Sequence, residues 1–173
     1  MTQRRFAEPV KRGAYFSPCR TWRYSLFRMW DESVERVVFV GLNPSTADET
    51  KDDPTIRRCM DFARRWGYGG IIMLNLFAFR ATKPEEMKAA ADPVGPLNDQ
   101  TISFWIQQRV VVCAWGVHGG FRGRGREVRR RLRDPDALLR PKRVCILRET
   151  RDGHPSHPLY LPATMEPVPW GRW

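Results

Sequence analysis

The stretch Arg36-Val37-Val38-Phe39-Val40-Gly41-Leu42-Asn43-Pro44-Ser45 decides the fold. Its unbroken run of β-branched and aromatic residues, with no polar alternation, suits a strand covered on both faces, as parallel strands under helices are. The run stops at Asn43-Pro44, where proline removes a ladder donor and the asparagine side chain favours a turn. Similar runs recur at 71–77, 109–115 and 143–147. Between them lie helical patterns. From 53 to 66, Ile56, Met60, Phe62, Ala63 and Trp66 recur at helical spacing, with Pro54 in the first turn and Gly67 past the end. Further helices are expected over 83–91, opened by Pro84, over about 95–108, and over an arginine-rich stretch near 124–133. Strands separated by helices imply right-handed crossovers. The expected class is therefore α/β: a three-layer α/β/α sandwich around a central four-stranded parallel sheet. The aromatic segment 14–30, interrupted by Pro18, reads as an extended or hairpin-like piece over an edge, and the proline-rich end from 162 to 173 reads as irregular.

At 173 residues the chain supports one core, a single domain with an N-terminal segment over about 1–33 and a body over about 34–160. Hydrophobic residues at 42% and aromatics at 12% exclude a disordered basic tail. No apolar run reaches membrane-spanning length, and residues 1–9 lack the apolar stretch of a secretory signal, so a cytoplasmic protein without a membrane partner is expected. Cys19, Cys59, Cys113 and Cys145 stand far apart without a CxxC, which reads as four free and mostly buried thiols in preference to an iron–sulfur cluster. His118, His154 and His157 are suitable metal ligands by type, but no two share a helix face, so a metal site is not expected. Monomer is the default oligomeric state.

Lys and Arg number 30 against 19 Asp and Glu, a net charge of +11. The excess is concentrated between 122 and 143, where Arg122, Arg124, Arg126, Arg129, Arg130, Arg131, Arg133, Arg140, Lys142 and Arg143 cluster. A solvated basic face is one reading; attraction to a polyanion is the sharper one, because arginine forks match phosphate.

In open α/β sheets ligands bind beyond the carboxyl ends of the strands. Here those ends read Gly41-Leu42-Asn43-Pro44-Ser45, then Asn75, then Trp115-Gly116-Val117-His118, then Gly153-His154-Pro155-Ser156-His157-Pro158-Leu159. No GxxxxGK[ST], no GxGxxG after the first strand and no GxSxG elbow is present, which disfavours triphosphate cradles, dinucleotide sites and serine hydrolases.

The order GLNPS at 41–45, LNLFAFRAT at 74–82, CAWG at 113–116 and GHPSHPL at 153–159 resembles the uracil-DNA glycosylase superfamily, whose strand ends carry GQDPY or GINPG, LLN, LWG and HPSPL. The likeness covers roughly residues 34 to 160. The chain is similar more closely to a bacterial family of uncharacterised domains marked by GLNPSTAD, NLFA, AWG and HPLY. The resemblance implies a glycosylase-like fold and a hydrolase that cleaves the N-glycosidic bond of uracil or a modified pyrimidine flipped out of DNA, without a metal or an organic cofactor. It implies that Asn43 holds the attacking water, that Asn75 reads the base edge, and that His154 or His157, depending on register, donates to the departing base. Gly41, Leu42, Pro44, Ser45, Trp115, Gly116 and Ser156 would line the substrate pocket. Leu159, or Tyr160 beside it, would wedge into the duplex, and Arg122, Arg124 and Arg126 would hold DNA. Ser45 departs from the tyrosine of the best-known members, which implies a pocket open to larger bases. Asp52 or Asp53 is a further candidate base. Two other functions fit the same residues: hydrolysis of a free nucleoside or nucleotide-like molecule, and nucleic-acid binding without chemistry.

Overall fold

The computed structural model describes residues 11–137 and 140–171. The first ten residues of the expected N-terminal segment and residues 172–173 of the expected tail lie outside the described residues. In chain order the elements are β1 (Lys11–Phe16), β2 (Arg23–Met29), β3 (Arg36–Gly41), α1 (Pro54–Arg65), β4 (Gly70–Asn75), α2 (Pro84–Ala89), α3 (Asn98–Trp105), β5 (Val110–Cys113), α4 (Arg124–Leu132), β6 (Arg143–Ile146) and β7 (Val168–Pro169). Short 3₁₀ turns lie within Val117–Gly123, which is kinked at the non-helical Phe121 and Arg122, and over Pro158–Tyr160.

These form one mixed sheet of seven strands in the order β1-β2-β4-β3-β5-β6-β7. β3 pairs in parallel with β4 and β5, and β5 with β6. β1, β2 and β7 join antiparallel. The sheet is thus wider than the four strands expected from the apolar runs. The aromatic segment folds as a hairpin whose second strand hydrogen-bonds directly to β4, so β2 is an interior strand and not an edge cover. In the proline-rich end, Val168 and Pro169 pair briefly with β6.

Alternate residues of the central strands feed two separate cores. Val37, Phe39, Ile71, Met73 and Val112 pack with Ile56, Met60, Phe62 and Ala63 of α1. Val38, Val40, Ile72, Leu74 and Val111 face Met87 of α2, Ile102 of α3, and Val128 and Leu132 of α4. Each such side chain taken fully out of water contributes about 1.5–3 kcal/mol. Because successive strand residues point to opposite faces, the continuous apolar runs are what a sheet covered on both sides requires. α1 starts where Asp53, its N-cap, accepts from the Ile56 N–H at 2.9 Å. Among the described residues, no helix is long and apolar enough to cross a membrane.

Candidate functional site

Parallel strands end together, and the carboxyl ends of β3, β4 and β5 open onto a cavity of about 770 Å³ closed on one side by the 148–160 loop. Gly41, Leu42, Asn43 and Ser45 enter it from β3, Asn75 from β4, Trp115 and Gly116 from β5, and Ser156, His157 and Leu159 from the loop. Pro44 lies just behind: it is buried, and its carbonyl accepts from the Ala81 N–H at 2.9 Å.

Asn43 is oriented by its surroundings. Its Nδ2 donates to the Ala81 carbonyl at 2.8 Å and to the Pro44 carbonyl at 3.1 Å. Only a nitrogen can donate to two carbonyls, so Oδ1 is left as the group with acceptor capacity. Asn75 is buried and held the opposite way round: Oδ1 accepts from Arg23 Nη2 at 3.3 Å, which leaves Nδ2 as a donor. Its backbone is pinned as well, because Asn98 Nδ2 donates to the carbonyls of Asn75 and Leu76. Gly41 permits this approach. A Cβ there would stand 2.6 Å from Met73 Cε and 3.0 Å from Asn75 Nδ2, too close for either to stay.

His157 faces these groups from the loop. Its Nδ1 accepts from the Leu159 N–H at 3.3 Å, which assigns the neutral ring's proton to Nε2 and makes that edge a donor. Burial pulls its pKa below the ordinary imidazole value, and the negative charge of Asp53 offsets this only in part, so the ring is neutral at pH 7. The loop is anchored by the Gly116 N–H, which donates to the Pro155 carbonyl at 2.7 Å. Gly116 has φ +71°, a conformation that suits glycine.

The two histidine registers are separated by the fold. His154 turns away, lining a second groove with α4, where its ring lies over Gly120; a Cβ on Gly120 would stand 3.2 Å from His154 Cε1. His118 lines the cavity, with Nδ1 3.2 Å from Lys88 Nζ. Leu159 and Tyr160 are exposed at the rim. Asp52 pairs with Arg28 at 2.7 Å. Asp53 lines the cavity, but its oxygens receive the N–H groups of Ile56 and Ala47. No three His, Cys, Asp or Glu side chains among the described residues gather as a metal-binding set. Cys19 is exposed, and the other three cysteines are buried free thiols.

Of the arginines expected to hold DNA, Arg124 is committed inward: it is buried, donates to the Leu76 carbonyl at 3.0 Å, and pairs with Asp99 and Glu127. That expectation is corrected for Arg124, whose guanidinium braces the end of β4. Arg122 is exposed with its guanidinium over the Phe121 ring, and lines neither cavity nor groove. Arg126 lines the groove.

Arg23 is the residue that reading the sequence passed over. It is 2% exposed, with Nη1 donating to the Ala47 carbonyl at 2.9 Å and Nη2 to Asn75. Desolvation pulls its pKa down to about 10, still charged at neutral pH. The available signal was a strand, Arg23–Met29, carrying two arginines among apolar residues; in an interior strand such cations have to be bonded inside.

The chain belongs to the family described as "Protein of unknown function (DUF1643)", whose model matches residues 23–159, from Arg23 at the cavity floor to Leu159 at its rim. No curated protein and no solved structure matches it.

Proposed function

We propose that this DUF1643 domain is a hydrolase of the DNA glycosylase type, a three-layer α/β/α fold like that of the uracil-DNA glycosylases, which receives a base flipped out of DNA and cleaves its N-glycosidic bond with water. The observation that carries the reading is the polarity of three side chains in one cavity: Asn43 offers an acceptor, Asn75 a donor and His157 a donor. Such a reaction asks for an oriented water and a stabilised anionic leaving group. Asn43 Oδ1 accepts a hydrogen bond from the water and aims its oxygen at the anomeric carbon. The new C–O bond forms as the C–N bond breaks, and the base leaves with the bonding pair. His157 Nε2–H and Asn75 Nδ2–H donate to the base as negative charge grows on it. An amide cannot take up the water's proton, which passes to the departing base or to solvent. Catalysis on this scheme is dipolar, needs no cofactor, and favours bases that are good leaving groups. Ser45 in place of a bulky aromatic leaves room for a modified pyrimidine.

The test is base release from single- and double-stranded oligonucleotides carrying uracil, hydroxymethyluracil, xanthine, hypoxanthine or modified cytosines, read as strand breaks after abasic-site cleavage. Release of one base, reduced about 10²–10³-fold by Asn43→Ala and by His157→Ala but only a few-fold by His154→Ala, is the expected result. No release from any of them, or release untouched by Asn43→Ala, overturns the proposal. A second reading draws on the size of the cavity: about 770 Å³ lies within the range that encloses whole small molecules. Hydrolysis of free nucleosides without DNA, with weak salt dependence, would favour it.

A further inference from the structure

We infer that the groove beside the cavity, between α4 and the 152–155 loop, is a binding track for the phosphates of one nucleic-acid strand. The inference rests on the DNA partner proposed above. It starts from a sorting of the α4 arginines that the fold performs. Arg124 and Arg131 are tied to Asp99 and Glu127. Arg129 lies over the Trp170 ring at 3.8 Å and donates to the Gly171 carbonyl, and Arg133 donates to the carbonyls of Trp170 and Gly171. These four have structural employment. Arg126 and Arg130 do not: both are exposed, both line the groove, and neither forms an ion pair or side-chain hydrogen bond among the described residues.

Placed four residues apart on α4, they are neighbours on one helix face, where two like charges destabilise a helix. Keeping two adjacent like charges without an acidic partner is unfavourable for the folded protein alone and favourable for a protein that meets a polyanion. The groove measures about 1080 Å³, and its other charged lining groups are Arg129, Arg131 and Arg133 against Asp134 and Asp152, so the lining is net positive. Its shape selects the form of the ligand. A duplex is read by an element that protrudes into its grooves, whereas a concave trough with a wall on each side accepts a single backbone. Its position links it to the site: Trp115 lines both spaces, and the loop that gives His157 to the cavity gives His154 to the groove. A strand lying along α4 therefore runs past the partition behind which a flipped base would sit.

The test measures binding of a fluorescent, undamaged thymine-only 20-mer to the full chain across a salt series, for wild type, for Arg126→Gln/Arg130→Gln, and for the charge-matched control Lys51→Gln/Arg65→Gln on another surface. Each phosphate contact contributes about 0.7 to the slope of log affinity against log salt for single strands. The groove variant is expected to lose about 1.4 from that slope and the control nothing. An unchanged slope, or an equal loss in the control, overturns the inference, as does tighter binding of a duplex of the same length with the same loss of slope. Because the probe carries no damaged base, the two proposals fail separately. A reduced slope with no base release from any oligonucleotide removes the glycosylase and keeps the track; base release with an unchanged slope does the reverse.

Discussion

The arginines of β2 and those of α4 are the same residue type put to opposite uses. Arg28 is wholly buried. It pairs with Asp52 at 2.7 Å and donates to the carbonyls of Phe27, Asp48 and Lys51, so one side chain holds the loop that connects β3 to α1. Arg23, on the same strand, fixes Ala47 and Asn75. On α4, by contrast, Arg126 and Arg130 point to water and hold nothing. A buried guanidinium pays for its lost hydration through the acceptors in its reach; the loop carbonyls of Ala47, Asp48 and Lys51 supply several of them here, while Arg23 Nε finds none among the described residues. The density of arginine in a sequence marks where charge is abundant. It does not mark where charge is used structurally.

The largest break in this contrast is expected from Arg28→Met. It leaves the Asp52 carboxylate and several carbonyls without their partner, a loss of about 3–5 kcal/mol in urea unfolding. A loss under about 1 kcal/mol would mean that the loop holds itself. Next comes Arg23→Lys, which keeps the charge but not the fork that reaches Ala47 and Asn75 together. Removal of hydrogen bonds to a charged group costs about 1.5–3 kcal/mol. Base release per folded molecule should fall about tenfold as Asn75 loses its fixed orientation, whereas a stability loss with release intact would make Arg23 structural only. Smallest is Arg126→Gln/Arg130→Gln, whose unfolding free energy should stay within about 0.5 kcal/mol of wild type, because exposed side chains without partners contribute little. A larger destabilisation would place these residues with the buried pair.

What could be read without coordinates follows from the range of the forces involved. The strands and helices were legible because burial on two faces and the cap at Asp53 leave local marks. The strand ends could be aligned into one site because parallel sheets finish on one side. The place of β2 beside β4 was not legible: strand order depends on partners distant in sequence, and no local pattern encodes it. Arg23 was missed for that reason. The choice between His154 and His157 was equally closed, since three residues along an irregular loop carry no period. Arg124 was different. It stands four residues before Val128 and eight before Leu132, the buried positions of α4, so helical spacing already put it on the core face.

The cavity has no local origin. Asn43, Asn75, Trp115 and His157 each arrive at the end of a separate excursion of the chain, and only the shared register of the strands, Gly41 opposite Asn75 in the β3–β4 ladder, brings them level. A slip of one residue in that ladder would turn Asn75 to the other face of the sheet. A fragment ending before the 148–160 loop would keep both asparagines but lack His157, and one beginning at β4 would lack Asn43. The cavity is a property of the finished sheet, so proteolytic pieces and nascent chains do not hold its lining together until the loop after β6 has docked.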